Sequence, residues 1–421
     1  MSEFLYPNLD ALDFNPEEHD RDALRDMYDL VNESKEVAQD PVERLLLSDI
    51  LAYMSPEGPD RQPGILAGPL IELMAYRRGA GLSTEAGYMA RLLEFSLDLQ
   101  LRELFPGVYP GGISRAWWYQ TDPLRHIDVI ALQEEMAVNN LQSNMADAYS
   151  IYHLLSTALK DRWQGPINVL DVGISLGLGD RKWLSGTFRA PSIYLPPKRD
   201  VPLAIDVLAP DRGAQETVNR LNTEQPYVNK IVGIDWLPVS SHNEKVKRRV
   251  FSHTFPMLEA LKRPTEVNDF NRLLDGQYDN LYIPKLYTDA RNPQDLAAAM
   301  ERLSQEDILS EEQFEVAIIS ATLFENSPEA AAAIIENLKP YVKDYIFIAD
   351  FAEEDASEPG GLRFIRRNWW HRQGHFALFA IDLKNGDGLP HEVARFLTRH
   401  GTEMWLSPYG KELLSVDEAK S

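Results

Sequence analysis

The sequence predicts an α/β fold in which an N-terminal all-helical cap precedes a mostly parallel, seven-stranded, doubly wound sheet. The first 160 residues show apolar residues at helical three-and-four spacing, whereas short runs rich in Val, Ile and Leu begin at residue 167. Strands that alternate with helices favour a parallel sheet covered on both faces. We therefore expect a helical cap over residues 1–160 and an α/β core over residues 161–421.

The helical part contains three clearly amphipathic segments and one long one. A loop rich in Gly and Pro, residues 105–115, separates them and is followed by the aromatic triplet Trp117, Trp118 and Tyr119. The predicted helices span 41–54, 64–79, 85–104 and roughly 124–160.

Seven apolar runs predict the strands of the sheet. The last two of these runs are separated by a polar, glycine-rich segment, so we expect them to pair antiparallel at one edge. The runs are INVLDVG, KIVGIDW, NLYIPKLYTDA, FEVAIISATLF, DYIFIADF, FALFAIDL and TEMWLSP.

The composition excludes several classes of protein. The chain of 421 residues carries a net charge of −23, and a strongly acidic surface repels phosphate backbones, so we expect no nucleic-acid partner. No apolar run reaches the roughly 18–20 residues of a membrane span. The absence of cysteine excludes disulfides and thiolate metal sites, and together with an acidic N-terminus it favours a cytoplasmic location.

The stretch INVLDVGISLGLGD, residues 167–180, has the composition of a strand that turns sharply into a helix. Glycine permits unusual backbone angles and lets a ligand approach the backbone closely, which suits Gly173 and Gly177. In parallel sheets a ligand usually lies beyond the carboxyl ends of the strands, where the free amides of a helix N-terminus also point. We therefore expect a cofactor at this turn.

The loop Asp171-x-Gly173-x-Ser175-x-Gly177 resembles that of class I S-adenosylmethionine-dependent methyltransferases, and the resemblance covers about residues 165–410. It implies a methyltransferase-like Rossmann core with S-adenosylmethionine as cofactor and methyl transfer to a small-molecule substrate. It also implies that Asp235 in IVGIDWLP binds the ribose hydroxyls. On later strands it implies that Asp289 and the Ala290 amide meet the adenine, and that Ser320 lies near the sulfonium.

Two features depart from the family pattern. Ser175 replaces the middle glycine of the loop, and Asp235 lies much further from Gly173 than is usual, which implies an insertion at about residues 187–228. Asp206, at the end of VPLAID, is the alternative ribose ligand. The stretches LQSNMADAYSIYHLL, DVGISLGL and GIDWLP further resemble a bacterial family of uncharacterised proteins with a methyltransferase-like core, which supports the fold and implies no reaction.

Two alternatives to methyl transfer remain open. A non-methylating relative would use the same fold as a ligand-binding or regulatory scaffold. The glycine pattern also resembles that of nicotinamide-dependent short-chain dehydrogenases, which need a Tyr-x-x-x-Lys pair on a helix. The only match is Tyr194 to Lys198, and the prolines between them prevent a helix.

Aromatic and histidine side chains are the candidates for the substrate region. Tyr149 and His153 lie four residues apart, on one face of a predicted helix, and His153 could act as a base near neutral pH. Tyr152, Trp117 and Trp118 could line a substrate pocket. The alternatives are a buried histidine bonded to its neighbours and aromatic residues that serve packing, with the helices covering the sheet or forming a homodimer.

We expect no metal site. His371 and His375 have the spacing of helical metal ligands, but Gly374 lies between them and the stretch runs into an apolar strand. Ligands drawn from separate loops, such as His242 or His253 with carboxylates, remain open.

Overall fold

A computed structural model describes the protein over most of its length. The described residues are 17–38, 41–55, 64–108, 113–138, 146–186, 188–196, 208–236, 249–252, 264–278, 280–306, 313–364, 376–397 and 402–416. Their contacts divide the chain into two compact units. The helical unit comprises Met1–Ser143 and His242–Asn271, and the sheet unit comprises Asn144–Ser241 and Arg272–Ser421.

The helical unit contains the three amphipathic helices that the sequence predicts, together with a 20-residue helix before them and shorter helices after them. Its helices pack through buried leucines and methionines such as Leu73, Met74 and Leu93. Asp20 at the start of the first helix forms an ion pair with Arg78 of the third at 2.9 Å. The helices are α1 (Glu18–Val37), α2 (Pro41–Met54), α3 (Ala67–Gly79), α4 (Ala86–Leu104), α5 (Arg115–Thr121) and α6 (Val129–Val138).

The predicted long helix over 124–160 is wrong. The chain forms a 3-10 turn at Pro123–His126, then α6, and later a second 3-10 turn at Ala146–Tyr149 that leads into α7 (Ser150–Ala158). The contact division places residues 144–160 with the sheet, whereas the predicted boundary follows residue 160. The physical reason is that Tyr149 and Tyr152 hydrogen-bond to the first and fifth strands of the sheet unit.

Strands and helices alternate through the remainder of the chain. Short polar side chains before Pro cap several of the helices: Asn292, Ser327 and Ser407 each accept a backbone hydrogen bond just before a proline. The elements are β1 (Ile167–Val172), α8 (Leu178–Ser185), β2 (Ser192–Tyr194), α9 (Arg212–Asn222), β3 (Val228–Asp235), α10 (Pro264–Leu274), β4 (Lys285–Tyr287), α11 (Pro293–Gln305), β5 (Phe314–Ser320), α12 (Pro328–Leu338), β6 (Val342–Glu354), β7 (Leu362–Phe364), β8 (Phe376–Asp382), β9 (His391–Phe396), β10 (Glu403–Leu406) and α13 (Pro408–Leu413).

The α/β class is confirmed, but the predicted seven-stranded sheet is wrong. The described strands form one mixed, ten-stranded sheet in the order β2-β10-β9-β8-β6-β5-β1-β3-β4, with β7 paired to β6. The five strands β4, β3, β1, β5 and β6 run parallel to one another. Beyond β6 the sheet continues antiparallel through β8, β9 and β10.

The expected antiparallel pairing of the last two predicted strands is also wrong. β9, which the sequence analysis treated as part of a connection, lies between β8 and β10 and pairs antiparallel with both. The predicted insertion at 187–228 contains β2, which pairs parallel with β10 at the far edge of the sheet. The segment therefore supplies an edge strand of the sheet, and α9 precedes the return of the chain to β3.

Candidate functional site

The site lies where the strand order of the parallel region reverses. β1 is flanked by β3 on one side and by β5 on the other, with β4 beyond β3 and β6 beyond β5. In open α/β sheets this reversal opens a crevice at the carboxyl ends of the strands. The turns after β1 and β5 border this crevice.

Backbone strain is concentrated in these two turns. Four non-glycine residues of the described chain have positive φ, and two of them are Ser175 at 50° after β1 and Ala321 at 49° after β5. The left-handed conformation costs a non-glycine residue roughly 1–2 kcal/mol. Such strain persists only where surrounding contacts enforce it, and it is common at functional sites.

The turn after β1 has the conformation that the glycine pattern indicates. Gly173 has φ +83° and Gly177, which precedes α8, has φ +70°. A Cβ at Gly173 would lie 2.1 Å from Oγ1 of Thr322, so this glycine is required by the neighbouring turn of β5. Its presence is explained by packing and is not in itself evidence for a ligand.

Charged side chains hold the segment 173–177, called the glycine loop below. The Ser175 amide donates to Oδ2 of Asp235 at 2.9 Å, and the ammonium of Lys285 donates to the Ser175 carbonyl. Arg181 donates to the Leu176 and Gly177 carbonyls at 2.6 and 3.1 Å. The loop conformation therefore depends on one carboxylate and two cations.

Lys285 reaches the loop because of the residue beside it. Asp171, Gly233 and Lys285 form one row across β1, β3 and β4, and side chains in such a row point to the same face of a sheet. Gly233 has no side chain, and a Cβ there would lie 2.3 Å from Cδ1 of Ile174. Burial, with a smaller contribution from Arg181, lowers the pKa of Lys285 to about 8.

Five predicted cofactor residues lie on or just after four neighbouring strands at this edge. Asp171 and Gly173 come from β1, Asp235 ends β3, Asp289 follows β4 and Ser320 ends β5. The carboxyl ends of parallel strands share one edge of the sheet. The predicted residues are therefore brought to one side of the molecule.

Asp289 and Ala290 are engaged within the protein. The Arg291 side chain donates to both carboxylate oxygens of Asp289, at 2.8 and 2.7 Å. Burial acts to raise the pKa of Asp289, but the hydrogen bonds from Arg291 outweigh it and hold the pKa below its usual value. The buried Ala290 accepts from Asn337 through its carbonyl at 3.0 Å.

Tyr149 and Tyr152 bring two hydroxyl groups to the site. The Tyr149 hydroxyl donates to Oδ2 of Asp171 at 2.8 Å, and the Tyr152 hydroxyl is hydrogen-bonded to Oγ of Ser320 at 2.7 Å. The Tyr152 ring stacks on Trp183 with the ring centroids 5.9 Å apart. Burial raises the pKa of both tyrosines, so both hydroxyls stay protonated at neutral pH.

Among the described residues, no hydrogen bond connects the His153 side chain to the glycine loop. Its ring packs near Phe188, with centroids 6.5 Å apart, and its Nδ1 atom is buried without a hydrogen-bond partner among the described residues. Burial lowers the pKa of His153, although the charge of Glu224 acts in the opposite direction. The histidine is therefore neutral at pH 7, and its predicted role as a base stays a prediction.

The predicted substrate residues of the helical unit have different environments. Trp118 is buried, and its Nε1 donates to Oδ2 of Asp49 at 2.6 Å, which are the contacts of a packing residue. Trp117 is partly exposed and makes an edge contact with Phe105 at 5.3 Å. Tyr119 is 68% exposed and offers a large apolar surface on the same helix, α5.

Three residues of the site were missed by the sequence analysis: Asp180, Arg181 and Lys285. Asp180 and Arg181 lie in the first turn of α8, directly after the glycines. Charged residues are common at the start of a helix, so nothing in the local sequence indicates a role in the site. Lys285 stands in a three-residue strand, where a charged residue next to a short apolar run carries no local signal. The strand register places Lys285 beside Asp171, and the turn from β1 into α8 places Asp180 and Arg181.

Among the described residues, no group of three or more His, Asp or Glu side chains could hold a metal ion. His242, His253, His371 and His375 lie outside the described residues, as does Asp206. No helix within the described ranges combines the length and the apolar character that crossing a membrane requires.

No family model matches the chain, and no curated protein matches it. The resemblance to class I methyltransferases therefore remains an expectation based on the quoted residues.

Proposed function

We propose that this protein binds S-adenosylmethionine at the carboxyl edge of β4, β3, β1 and β5 and transfers its methyl group to a small-molecule acceptor. The observation that carries the proposal is the strand order. Four parallel strands lie side by side in the order β4, β3, β1 and β5. At or just after their carboxyl ends stand, in the same order, Asp289, Asp235, Gly173 and Ser320.

The polar groups at this edge match the chemistry of the cofactor. A carboxylate has about four lone-pair sites, so Asp235 can accept from the Ser175 amide and from a ribose diol together. Asp289, held by Arg291, presents a further acceptor for an amino group. Trp236 follows Asp235, and its ring is contacted by the Arg291 guanidinium at 5.1 Å.

The chain's own contribution to transfer is orientation. Bound S-adenosylmethionine supplies an activated methyl group, and correct alignment alone gives a large part of the rate of such a reaction. The Tyr152 and Ser320 hydroxyls, paired at 2.7 Å, are positioned to orient an acceptor at the end of β5. Since both tyrosines are protonated at neutral pH, we favour an acceptor that arrives without a proton to lose.

A ligand-binding scaffold without methyl transfer is the second candidate. The observation that favours it is the position of His153, which contacts Phe188 and has no hydrogen bond to the glycine loop among the described residues. Such a protein would bind the same cofactor and lack turnover.

We predict that isothermal titration calorimetry detects binding of S-adenosylmethionine or of its demethylated product, S-adenosylhomocysteine. Both must be titrated into protein whose fold is verified by circular dichroism. No heat with either compound would refute the proposal. Transfer of a labelled methyl group into small molecules of a cell extract then separates the two candidates, because the scaffold binds without transfer.

A further inference from the structure

A buried pair of acidic side chains lies close to the glycine loop. Asp171 on β1 and Asp180 in the first turn of α8 both have no exposed surface. If both were ionised, Oδ1 of Asp171 and both carboxylate oxygens of Asp180 would have no hydrogen-bond partner among the described residues. Leaving buried polar atoms unpaired costs about 1–3 kcal/mol each, and more for charged atoms.

Tyr149 fixes how a proton can be arranged between them. Its hydroxyl donates to Oδ2 of Asp171 at 2.8 Å, so the other oxygen of Asp171, Oδ1, is the atom that can carry a proton. A proton on Oδ1 satisfies that atom and one Asp180 oxygen together, since the two side chains are within hydrogen-bond reach. The ring of Tyr149 lies against Gly179, where a Cβ would come within 2.4 Å of Cδ2 of the ring.

We propose that Asp171 and Asp180 share one proton in the folded protein, and that Asp180 is through this proton a positioning residue for the glycine loop between β1 and α8. The hydrogen bonds then run from Tyr149 to Asp171 and from Asp171 to an ionised Asp180. This inference does not depend on which ligand the edge binds.

The surrounding charges are consistent with one proton and one negative charge. Burial is the largest cause that raises the pKa of both carboxyl groups, and for Asp171 the charge of Asp180 adds to it. Lys285 and Arg181 act in the opposite direction on Asp180 and favour its ionised form. The titratable or charged groups that face the pair are Tyr149, Tyr152, Asp235 of β3, Lys285 of β4 and Arg181 of α8.

A raised carboxyl pKa makes the stability of the fold depend on pH. The unfolded chain loses these protons near pH 4, whereas in the proposed arrangement the folded protein keeps one of them above that pH. The stabilisation is complete below about pH 4 and is lost as the pH rises from there through the pKa of the folded pair. For each proton that only the folded state holds, the unfolding equilibrium constant rises by up to tenfold when the pH increases by one unit.

The test is urea unfolding of the full chain between pH 5 and pH 9, comparing wild type with Asp171→Asn. Asparagine reproduces the protonated aspartic acid: its oxygen accepts from Tyr149 and its amide donates to Asp180. We expect the unfolding constant of the variant, divided by that of wild type, to fall with rising pH, by up to tenfold per pH unit. A ratio that is independent of pH, or a variant that is unfolded throughout, overturns the proposal.

Two further variants separate the shared proton from simple packing. Asp180→Asn keeps a hydrogen-bonding partner for Asp171 and should show the same fall in the ratio. Asp350→Asn is the matched control, because Asp350 is equally buried but accepts from the amides of Thr322 and Leu323 at 3.2 and 2.8 Å. It should lose stability without following the pH trend of the Asp171 variant, and an identical trend would contradict the inference.

Infrared spectroscopy gives a readout that a structural role alone would not change. At pH 8 the wild-type protein should show the carbonyl band of a protonated, buried carboxyl group, and Asp171→Asn should lack it. Absence of this band from the wild type would overturn the proposal.

Discussion

At the residue scale, the Asp235 carboxylate accepts the Ser175 amide at 2.9 Å and is also the group that we propose binds ribose. A substitution that removes the carboxylate therefore acts on the loop and on the ligand together. An asparagine at this position keeps an oxygen for the Ser175 amide while it removes the charge. The pair of variants can separate the two roles.

We predict that Asp235→Asn weakens binding of S-adenosylhomocysteine by about 1.5–3 kcal/mol, since hydrogen bonds to a charged group lie in that range. This corresponds to roughly a tenfold to hundredfold rise in Kd, measurable by calorimetry. Asp235→Ala should lose more, because its loop is also released. Asp206→Ala is the control and should bind as wild type. Loss of binding in the control with retention in Asp235→Asn would assign the ribose to Asp206.

Residue identities in the site were predictable only where the chain carries a local pattern. Asp171, Gly173 and Asp235 stand at the ends of apolar runs, and the structure finds strands there. Lys285 and Asp180 have no such signal, because the register of β1, β3 and β4 places Lys285 and the turn from β1 into α8 places Asp180. Contacts across strands cannot be read from spacing along one strand.

The turn between β1 and α8 is the element on which the site depends. Its conformation combines positive φ at Gly173, Ser175 and Gly177 with a close approach of Thr322. Glycine is needed at 173 for both reasons. At 175 the chain uses serine, which adopts the same left-handed region at an energetic cost.

We predict that Gly173→Ala lowers the free energy of unfolding by about 2–4 kcal/mol, because a Cβ 2.1 Å from Thr322 adds overlap to an unfavourable φ. Ser175→Gly should be neutral or stabilising by up to about 1 kcal/mol, since it removes the strain. Urea unfolding followed by circular dichroism measures both.

The matched control for these variants is Gly68→Ala in α3. A Cβ there meets no atom within 4 Å, so the change should be neutral or stabilising by up to about 1 kcal/mol. If Gly173→Ala were as well tolerated as Gly68→Ala, the described conformation of the turn would be wrong.

The elements that sequence predicted well are those with long and regular patterns. α2, α3 and α4 match their predicted spans closely, and β1, β3 and β5 match apolar runs. β2 and β7 have only three residues each, too few for a period to be visible. β9 was missed because half of HEVARF is polar and it follows a glycine-rich turn.

At the scale of the whole molecule, the chain forms two compact units that are both discontinuous in sequence. The α/β class followed from the alternation of apolar runs and helices. The mixed character of the sheet did not, because β2 joins β10 from more than 200 positions earlier in the chain. Pairing at that separation leaves no local trace in the sequence.

The most direct measurement is hydrogen–deuterium exchange of the full chain with and without saturating S-adenosylhomocysteine. The account predicts slower exchange in residues 173–177 and at the end of β3, the two places where the neighbouring strands β1 and β3 end at the carboxyl edge of the sheet. The helical unit's α2 and α3, far along the chain from these turns, serve as the internal reference. Unchanged exchange at both strand ends, or protection confined to other segments, would contradict the account.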